Sequence, residues 1–504
     1  MAELTDKPFP PGDYPVVVVG SGPGGIQASY YLRHLGIEHA TITADPLPGG
    51  MFRRFPFFQR LLSWTKPYGP VPRDDPFYYW YDWNSLLAEE PENRALMPDL
   101  MDGTSSFPSR PEMERNLATF VERTGLQIRY DTPWESTSRD GERFVLHTPD
   151  GDYRCKVAIF AVGVAKPFTP DTPGFDLVAH YVDTRPAETY AGKRLFIIGK
   201  ENSGFELASG LLQWAQRIVL ASPRPAKLSV NSHSLAGVRA RYVQPVEDEI
   251  LGGGVFILNS SISRVERMGE GYRVHCLRSD TNTEISVDAD EVIAATGFTC
   301  PLQDLREIGV EVFGRSELPA MTNYWESASV PGIYFAGTIG QGVSGMKKYG
   351  LPANSGAVHG ARYNARTMVY HVAEKHFGVT RPRIDVRADA LVETLLTEAT
   401  QAPELWNQKS YLARAFSLDP AHGILDQGIV PLAQFVDEEG DAGIAIAVET
   451  NDLGDIHPAV YVRAQRKPAI ETLLSSQPLH DFRTADNRAH LAEILRGATA
   501  GAVR

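Results

Sequence analysis

Cysteine is scarce in this chain: three residues in 504, at Cys155, Cys276 and Cys300. None forms Cys-x-x-Cys, which excludes a local redox-active dithiol, and a disulfide framework does not suit so long a chain. No His/Cys cluster has zinc-site spacing, so each cysteine is expected to be a small buried hydrophobe. Long apolar runs are missing too. No stretch reaches 18 consecutive apolar residues, so no transmembrane helix is expected. The opening residues carry no apolar signal core and the ending no retention signal, which makes the cytoplasm the expected compartment. Positive charge is in deficit, with a formal net charge of −13, and this argues against a nucleic-acid surface.

What is present is a full globular composition, 43% hydrophobic and 22% charged, in enough chain for about three domains. The most informative stretch is Pro15–Gly25, where the apolar run Val16–Val19 breaks into Gly20-x-Gly22-x-x-Gly25 and then into a helical pattern around Ile26–Leu35. A strand, glycine turn and helix in this order place a dinucleotide diphosphate on a helix N-terminus. Gly20 permits the tight turn, Gly22 lets the backbone approach the phosphates, and Gly25 lets helix pack on strand.

Short apolar strands alternate with helical patterns to about residue 380, the signature of α/β layering. A strand is predicted at His39–Thr43, a turn at Pro46–Gly50, and an amphipathic helix at Pro111–Thr124. Between them, residues 51–110 are irregular and rich in Pro and aromatics, and so long a connection is usually functional. An apolar strand follows at Val157–Gly163. A second strand–turn–helix runs through Leu195–Gly199 and Gly204 into a helix at Phe205–Trp214, with a strand at Arg217–Ala221. Val292–Gly297 and Gly332–Gly337 return to the style of the first domain, ahead of a helix from about Ser355 to Lys375. One dinucleotide domain (1–185 and 289–380) is therefore expected to be interrupted by another (186–288). Beyond it lies a C-terminal α+β extension, 381–504, with helices at 387–399 and 484–497, strands at Gly443–Glu449 and Ala459–Ala464, and acidic turns between. The extension carries no chemical motif and reads equally as a lid, a dimer contact or a substrate wall.

Two nested dinucleotide units resemble the two-dinucleotide-binding-domain flavoproteins, in which FAD occupies the outer domain and NAD(P)H the inner one. The pieces that carry the resemblance are Gly20/Gly22/Gly25, Gly49-Gly50-Met51-Phe52, Gly199–Gly204, Ala295–Phe298 and Tyr334–Thr338. Within that superfamily, Tyr81–Leu87, Phe107-Pro108-Ser109, Gly204-Phe205-Glu206 and the stretch Ala336–Thr338 with His359–Arg366 are similar to the FAD-dependent oxidoreductase-domain family related to flavin-containing monooxygenases. The resemblance implies FAD contacts at Gly20, Ser21, Gly22, Gly24, Gly25, Gly50, Met51, Phe52, Trp83, Asn84, Val162, Gly163, Gly337, Thr338 and His359. It implies NAD(P)H contacts at Gly199, Asn202, Ser203 and Gly204.

The departures are informative. The acid expected on the FAD ribose falls at Thr43, with Asp45 two residues on, and Thr338 stands where an Asp is usual. The inner turn carries Glu201 where its middle glycine should be. A carboxylate about 5 Å from a phosphate charge costs about 3 kcal/mol at an effective dielectric near 20, roughly a hundredfold in affinity. Lys200 or a shifted loop would have to offset it. Arg224 reads either as a partner for a 2′-phosphate of NADPH or as a solvated surface arginine. The motif of Baeyer–Villiger and classical flavin-containing monooxygenases is missing before Gly199, and His180 alone does not restore it.

The resemblance implies an FAD-dependent monooxygenase that uses NAD(P)H and O2 to oxygenate nitrogen, sulfur or activated carbon of a small molecule through a flavin C4a-hydroperoxide. Such chemistry needs a dry pocket and hydrogen-bond donors rather than a side-chain nucleophile. Asn84, Ser85 and Lys66, next to the Gly49-Gly50 turn, are the candidate catalytic donors; Asn84 reads equally as the cap of a helix starting at Ser85. Two alternatives stay open: an FAD oxidase or dehydrogenase reduced by its own substrate, which Glu201 favours, and a non-catalytic flavin-binding interaction protein. The expected partners are a small-molecule substrate and O2, with no metal, nucleic acid or membrane, and a homodimer left open.

Overall fold

The computed structural model of the chain describes residues 7–55, 60–232, 237–342 and 356–502, apart from 382, 420, 438, 439, 452 and 466. The run that opens the sequence becomes the strand Gly12–Val19, with Val16, Val17 and Val18 fully buried. It is apolar on both faces because it pairs in parallel with His39–Ile42 on one side and Gly151–Phe160 on the other. Arg143–Thr148 and Ser136–Asp140 extend this outer sheet, and Ile333–Phe335 joins it beside Ala158–Phe160. The helices Pro23–His34 and Val358–Phe377 pack together on it. The predicted amphipathic helix forms as Arg110–Thr124: Ser109 and Glu112 make a reciprocal capping box, and Gly125 ends it at φ 61°.

The inner sheet runs in the order Glu284–Ala289, Gly271–Arg278, Val255–Met268, Arg217–Ser222, Arg194–Ile198, Glu291–Ala294 and Ala179–His180. Two stretches expected in the outer domain belong to this sheet instead: Glu291–Ala294 pairs with Leu195–Ile198, and Ala179–His180 pairs with Ile293–Ala294 at the edge. An apolar strand of this length is compatible with either sheet, and only the pairing register decides. The inner helix also begins earlier than predicted, at Asn202 directly after the bend, and ends at Leu211. The late helix is Val358–Phe377; its expected start at Ser355 lies outside the described residues.

The extension forms an antiparallel sheet of six strands in the order Ile384–Val386, Gly423–Pro431, Leu412–Asp419, Gly443–Thr450, Ile456–Arg463 and Ile470–Leu473. Its helices include Leu391–Gln401, Pro403–Asn407 and Ala485–Ala502. Gly443–Val448 is buried on both faces, since Ile444, Ile446 and Val448 join the main core while Ala445 and Ala447 meet Phe435 in a smaller cluster. All three cysteines are buried and unpaired, and burial pushes their thiols up to about 11 for Cys276 and about 12 for Cys155 and Cys300. Among the described residues no helix is long and apolar enough to cross a membrane.

Candidate functional site

Two bends of the same construction define the site. At Gly20, φ is +112° and an added Cβ would lie 2.5 Å from the Ala161 carbonyl oxygen; at Gly25 it would lie 2.0 Å from the Gly20 carbonyl oxygen. The inner bend repeats this, with Gly199 at φ +126° against the Ala295 carbonyl and Gly204 against that of Gly199, each at 2.3 Å. These four glycines are demanded by backbone packing on the neighbouring strand.

Gly22 is different. Its φ of −75° suits any residue, and a Cβ there would meet only the Gly50 Cα, at 4.0 Å. It caps the helix N-terminus and faces open space, where backbone N–H groups gather partial positive charge. The elements around it close on the same point. Gly49 N donates to the Ser21 carbonyl at 3.1 Å, Gly50 turns over Gly22 at φ +53°, and Gly24 abuts the Gly337 backbone. Val164 N donates to Thr338 Oγ1 at 3.3 Å, which brings Val162 and Gly163 to the same mouth. Met51 and Phe52 begin the short 3-10 helix Gly50–Arg54 and are half-buried.

Thr43 is buried and its hydroxyl accepts from Ser21 Oγ at 3.1 Å and from Asp45 N at 3.2 Å. The half-buried Asp45 carboxylate is thereby held beside the bend.

The aromatic segment places its candidates less simply. No helix starts at Ser85, so the capping role for Asn84 falls. Both residues are instead absorbed by Asp82, a fully buried carboxylate that accepts from Thr65 Oγ1, Asn84 N, Ser85 N, Ser85 Oγ and Met97 N. The Ser85 hydroxyl also accepts from Met97 N at 2.7 Å. Asn84 Nδ2 donates to the Ser63 carbonyl and to Thr65 Oγ1, and its Oδ1 accepts from Ser63 Oγ at 2.6 Å. Neither side chain keeps a free donor, because a buried polar loop must satisfy itself. Lys66 is exposed, with its ammonium 5.0 Å from the Trp64 ring centre.

His359 differs from Asn84 and Ser85. It is buried at the start of the late helix, and neither ring nitrogen has a partner among the described residues. Its ring lies 4.5 Å from that of Trp83, which in turn stacks on Trp64 at 4.3 Å. Burial, with the charge of Arg362 second, lowers its pKa to about 3, so the imidazole is neutral and offers one donor and one acceptor. Arg362, one turn on, is buried and donates to the carbonyls of Tyr79, Asp82 and Ser85, which clamps the aromatic segment to the helix. Sequence reasoning missed the Asp82 and Arg362 roles; the arginine's place in a helix at i+3 from His359 was the available signal.

At the inner bend Glu201 occupies the N-cap position without a side-chain capping bond and is exposed. Lys200 is buried, donates to Asn259 Oδ1 at 2.5 Å, and is brought down to about 8 by burial. It does not offset Glu201. Asn202 is tied to the segment Gly237–Arg239, donating to the Gly237 carbonyl and accepting from Arg239 N, while Ser203 is half-buried. Arg224 is exposed just past the strand Arg217–Ser222. Glu206, from the family-like Gly-Phe-Glu, accepts from the hydroxyls of Tyr181 and Tyr242, and the Tyr242 hydroxyl also donates to the Arg60 carbonyl at 3.0 Å, tying the inner domain to the aromatic segment.

Known proteins share this plan. A mouse FAD-dependent oxidoreductase domain-containing protein 2 is 26% identical over 79% of the chain, which spans 63% of that relative's length. A flavin-containing monooxygenase from Stenotrophomonas maltophilia superposes with a TM-score of 0.54 at 20% identity, covering 72% of this chain and 99% of that one. A bacillithiol disulfide reductase from Staphylococcus aureus gives 0.55 at 16% identity, with 72% and 99% covered. Both structures share the two-dinucleotide-binding fold. The model of one family, described as pyridine nucleotide-disulphide oxidoreductase, matches residues 74–337, over half of the 504 residues. The chain belongs to the pyridine nucleotide-disulphide oxidoreductase family.

Proposed function

We propose that the outer bend binds FAD and that the chain is an NAD(P)H-dependent flavin monooxygenase acting on a small molecule. The observation that carries the cofactor is Gly22, where neither backbone conformation nor protein packing calls for glycine and a diphosphate would. The orphaned nitrogens of His359, aimed from the start of the late helix, fit the polar edge of a flavin ring. When bound, FAD supplies hydride acceptance and oxygen activation. Gly20–Gly25 and Gly337–Thr338 would hold its diphosphate, Asp45 its ribose, and the Trp83–His359 pair would wall the reacting edge. His359, neutral at physiological pH, would donate one N–H to an oxygen atom there and hold no charge.

Dithiol chemistry of the kind in the family's name has no counterpart in the cysteines. All three are buried and unpaired, and their thiols are pushed up by burial. This favours transfer to oxygen or substrate over transfer to a protein disulfide. The name of the mouse relative supports FAD, and the monooxygenase name of the Stenotrophomonas structure supports the reaction.

Glu201 favours a second reading, in which substrate itself reduces the flavin. Its exposure reduces the repulsion estimated above, since solvent screens a surface charge. Anaerobic stopped-flow mixing of the yellow holoprotein with NADPH and NADH decides between them. Bleaching of the flavin by either, followed by substrate-dependent O2 uptake, is the expected result. A flavin that only substrate can bleach would establish the oxidase, and a preparation that takes up no flavin would remove both.

A further inference from the structure

The segment Gly237–Tyr242 lies against the inner bend and is fixed along its backbone. Gly237 turns at φ +101°, where an added Cβ would stand 2.2 Å from the Lys227 carbonyl oxygen. Val238 N donates to that carbonyl at 2.7 Å, and the Val238 carbonyl accepts from Ser229 N at 2.8 Å. Arg239 N donates to Asn202 Oδ1 at 3.0 Å, and the Arg239 carbonyl accepts from Tyr242 N at 2.9 Å. Asn202 is the first residue of the inner helix, so Arg239 is tied to the N-terminus at which the bend opens.

The Arg239 side chain takes no part in this network. It is half-buried, and among the described residues its guanidinium has no hydrogen bond, ion pair or ring contact. Burial lowers its pKa, Tyr242 opposes the fall, and no carboxylate does. The Tyr242 hydroxyl is no counter-ion, because burial and the charge of Glu206 raise its pKa and keep it neutral. The neighbouring cations are committed elsewhere: Lys200 donates to Asn259 Oδ1, and Arg241 lies 4.8 Å from the Phe107 ring centre. A fixed segment thus holds a partly desolvated charge that no described residue compensates, at a cost that a bound anion would remove. The same charge reaches the outer site. After burial and Arg362, Arg239 is the next cause that lowers the His359 imidazole. Arg239 therefore stands between the inner helix N-terminus and the His359 ring, on the path that a nicotinamide dinucleotide has to bridge.

We propose that Arg239 binds the diphosphate of NADPH or NADH, donating guanidinium N–H groups to its oxygens. The assignment rests on the NAD(P)H-dependent reading above. It supplies the positive charge that Lys200 does not, and so offsets Glu201 at the inner bend. A planar fork of N–H donors suits phosphate oxygens, whereas neither ring of the dinucleotide offers a negative charge to compensate.

Calorimetric titration of the holoprotein with NADP+, NAD+ and ADP-ribose tests this without turnover. All three carry the diphosphate, so Arg239→Met should weaken each by a similar factor of at least tenfold, and Arg239→Lys should restore part of the loss. Added salt should narrow the gap between the wild-type protein and Arg239→Met. The flavin spectrum should stay the same, and the melting temperature of the nucleotide-free variant should not fall, since the guanidinium has no described partner to lose. Unchanged affinity for all three overturns the proposal, and so does a loss confined to NADP+, which would assign Arg239 to the 2′-phosphate. A variant that loses nucleotide affinity together with flavin or melting temperature would make Arg239 structural and also overturn it. Failure of the wild-type protein to bind any of the three removes the nicotinamide reading itself, and this assignment with it.

Discussion

Gly22 and Gly25 sit three residues apart and are glycine for opposite reasons. A methyl on Gly25 would press into the Gly20 carbonyl oxygen at 2.0 Å, whereas one on Gly22 meets nothing nearer than 4.0 Å. Gly25→Ala is therefore expected to cost about 3 kcal/mol or more of stability through overpacking. Gly22→Ala should leave the apoprotein's melting temperature within about a degree, as surface-facing changes do, yet lower flavin affinity at least tenfold. Differential scanning fluorimetry on apoprotein and flavin titration separate the two effects. His359 gives a second prediction at this scale. Its folded pKa of about 3 lies below the unfolded value near 6.5, so its stabilising share is complete above pH 6.5 and is lost as pH falls toward 3. Between pH 7 and pH 5 it should remove about 2 kcal/mol, by the same linkage, and His359→Phe should flatten that part of a urea-midpoint profile. No activity inflection near pH 6.5 should trace to this residue. The spacing of the glycines and the position of His359 were legible because motif and backbone geometry are local. The fate of Asn84 and Ser85 was not, since it depends on Asp82 reaching Thr65 and Met97 across folded chain.

The two glycine bends form a natural comparison between elements. Each joins a buried parallel strand to a helix, and each uses its first and last glycine in the same way. They differ at the middle position, Gly22 against Glu201, both at the helix N-cap with extended backbone. Glu201→Gly should raise nicotinamide affinity, by up to roughly a hundredfold if the carboxylate stands about 5 Å from a phosphate charge and less in proportion to its solvation. The dependence of flavin-reduction rate on NADPH concentration measures it, and an unchanged half-saturation would mean that Glu201 points away from the diphosphate. Elements with strong local signals are legible in the sequence: the capped helix Arg110–Thr124, the strand Arg217–Ser222 and the central strand Gly443–Thr450. The strands Leu412–Asp419 and Gly423–Pro431 have no clear signal in the sequence. Gly423, Gly428 and Pro431 punctuate the second, and the register shift opposite Ala415 and Phe416 leaves Gln427 as an extra residue that breaks its alternation. Arg414 and Asp426 also carry charge into both strands, yet they pair with each other across the sheet.

At the scale of the whole molecule, the extension is not a separate body on a linker. One contiguous core runs from Val16 and Ile159 through Met368 and Leu395 to Trp406, Leu412 and Ile446. Trp406 is the join: it stacks on Trp80 at 4.5 Å, its indole N–H donates to the Ala399 carbonyl, and Gln408 beside it donates to Asn364 on the late helix at 2.6 Å. Trp80 belongs to the same short segment as Asp82, whose carbonyl Arg362 holds. Removing this ring would therefore loosen the extension and the aromatic wall together. Trp406→Ala is expected to cost about 3 to 5 kcal/mol, the usual range for a buried tryptophan. Because one core spans both parts, the outer domain and the extension should melt in a single transition, shifted downward in the variant, with flavin released in the same step. The inner domain has clusters of its own around Leu195, Phe205 and Val219, so its melting should shift less. Flavin fluorescence and hydrogen exchange followed through the same thermal ramp distinguish these. If residues 384–480 exchange before any flavin is released, with the outer sheet still protected, the extension folds on its own and the shared core is not cooperative.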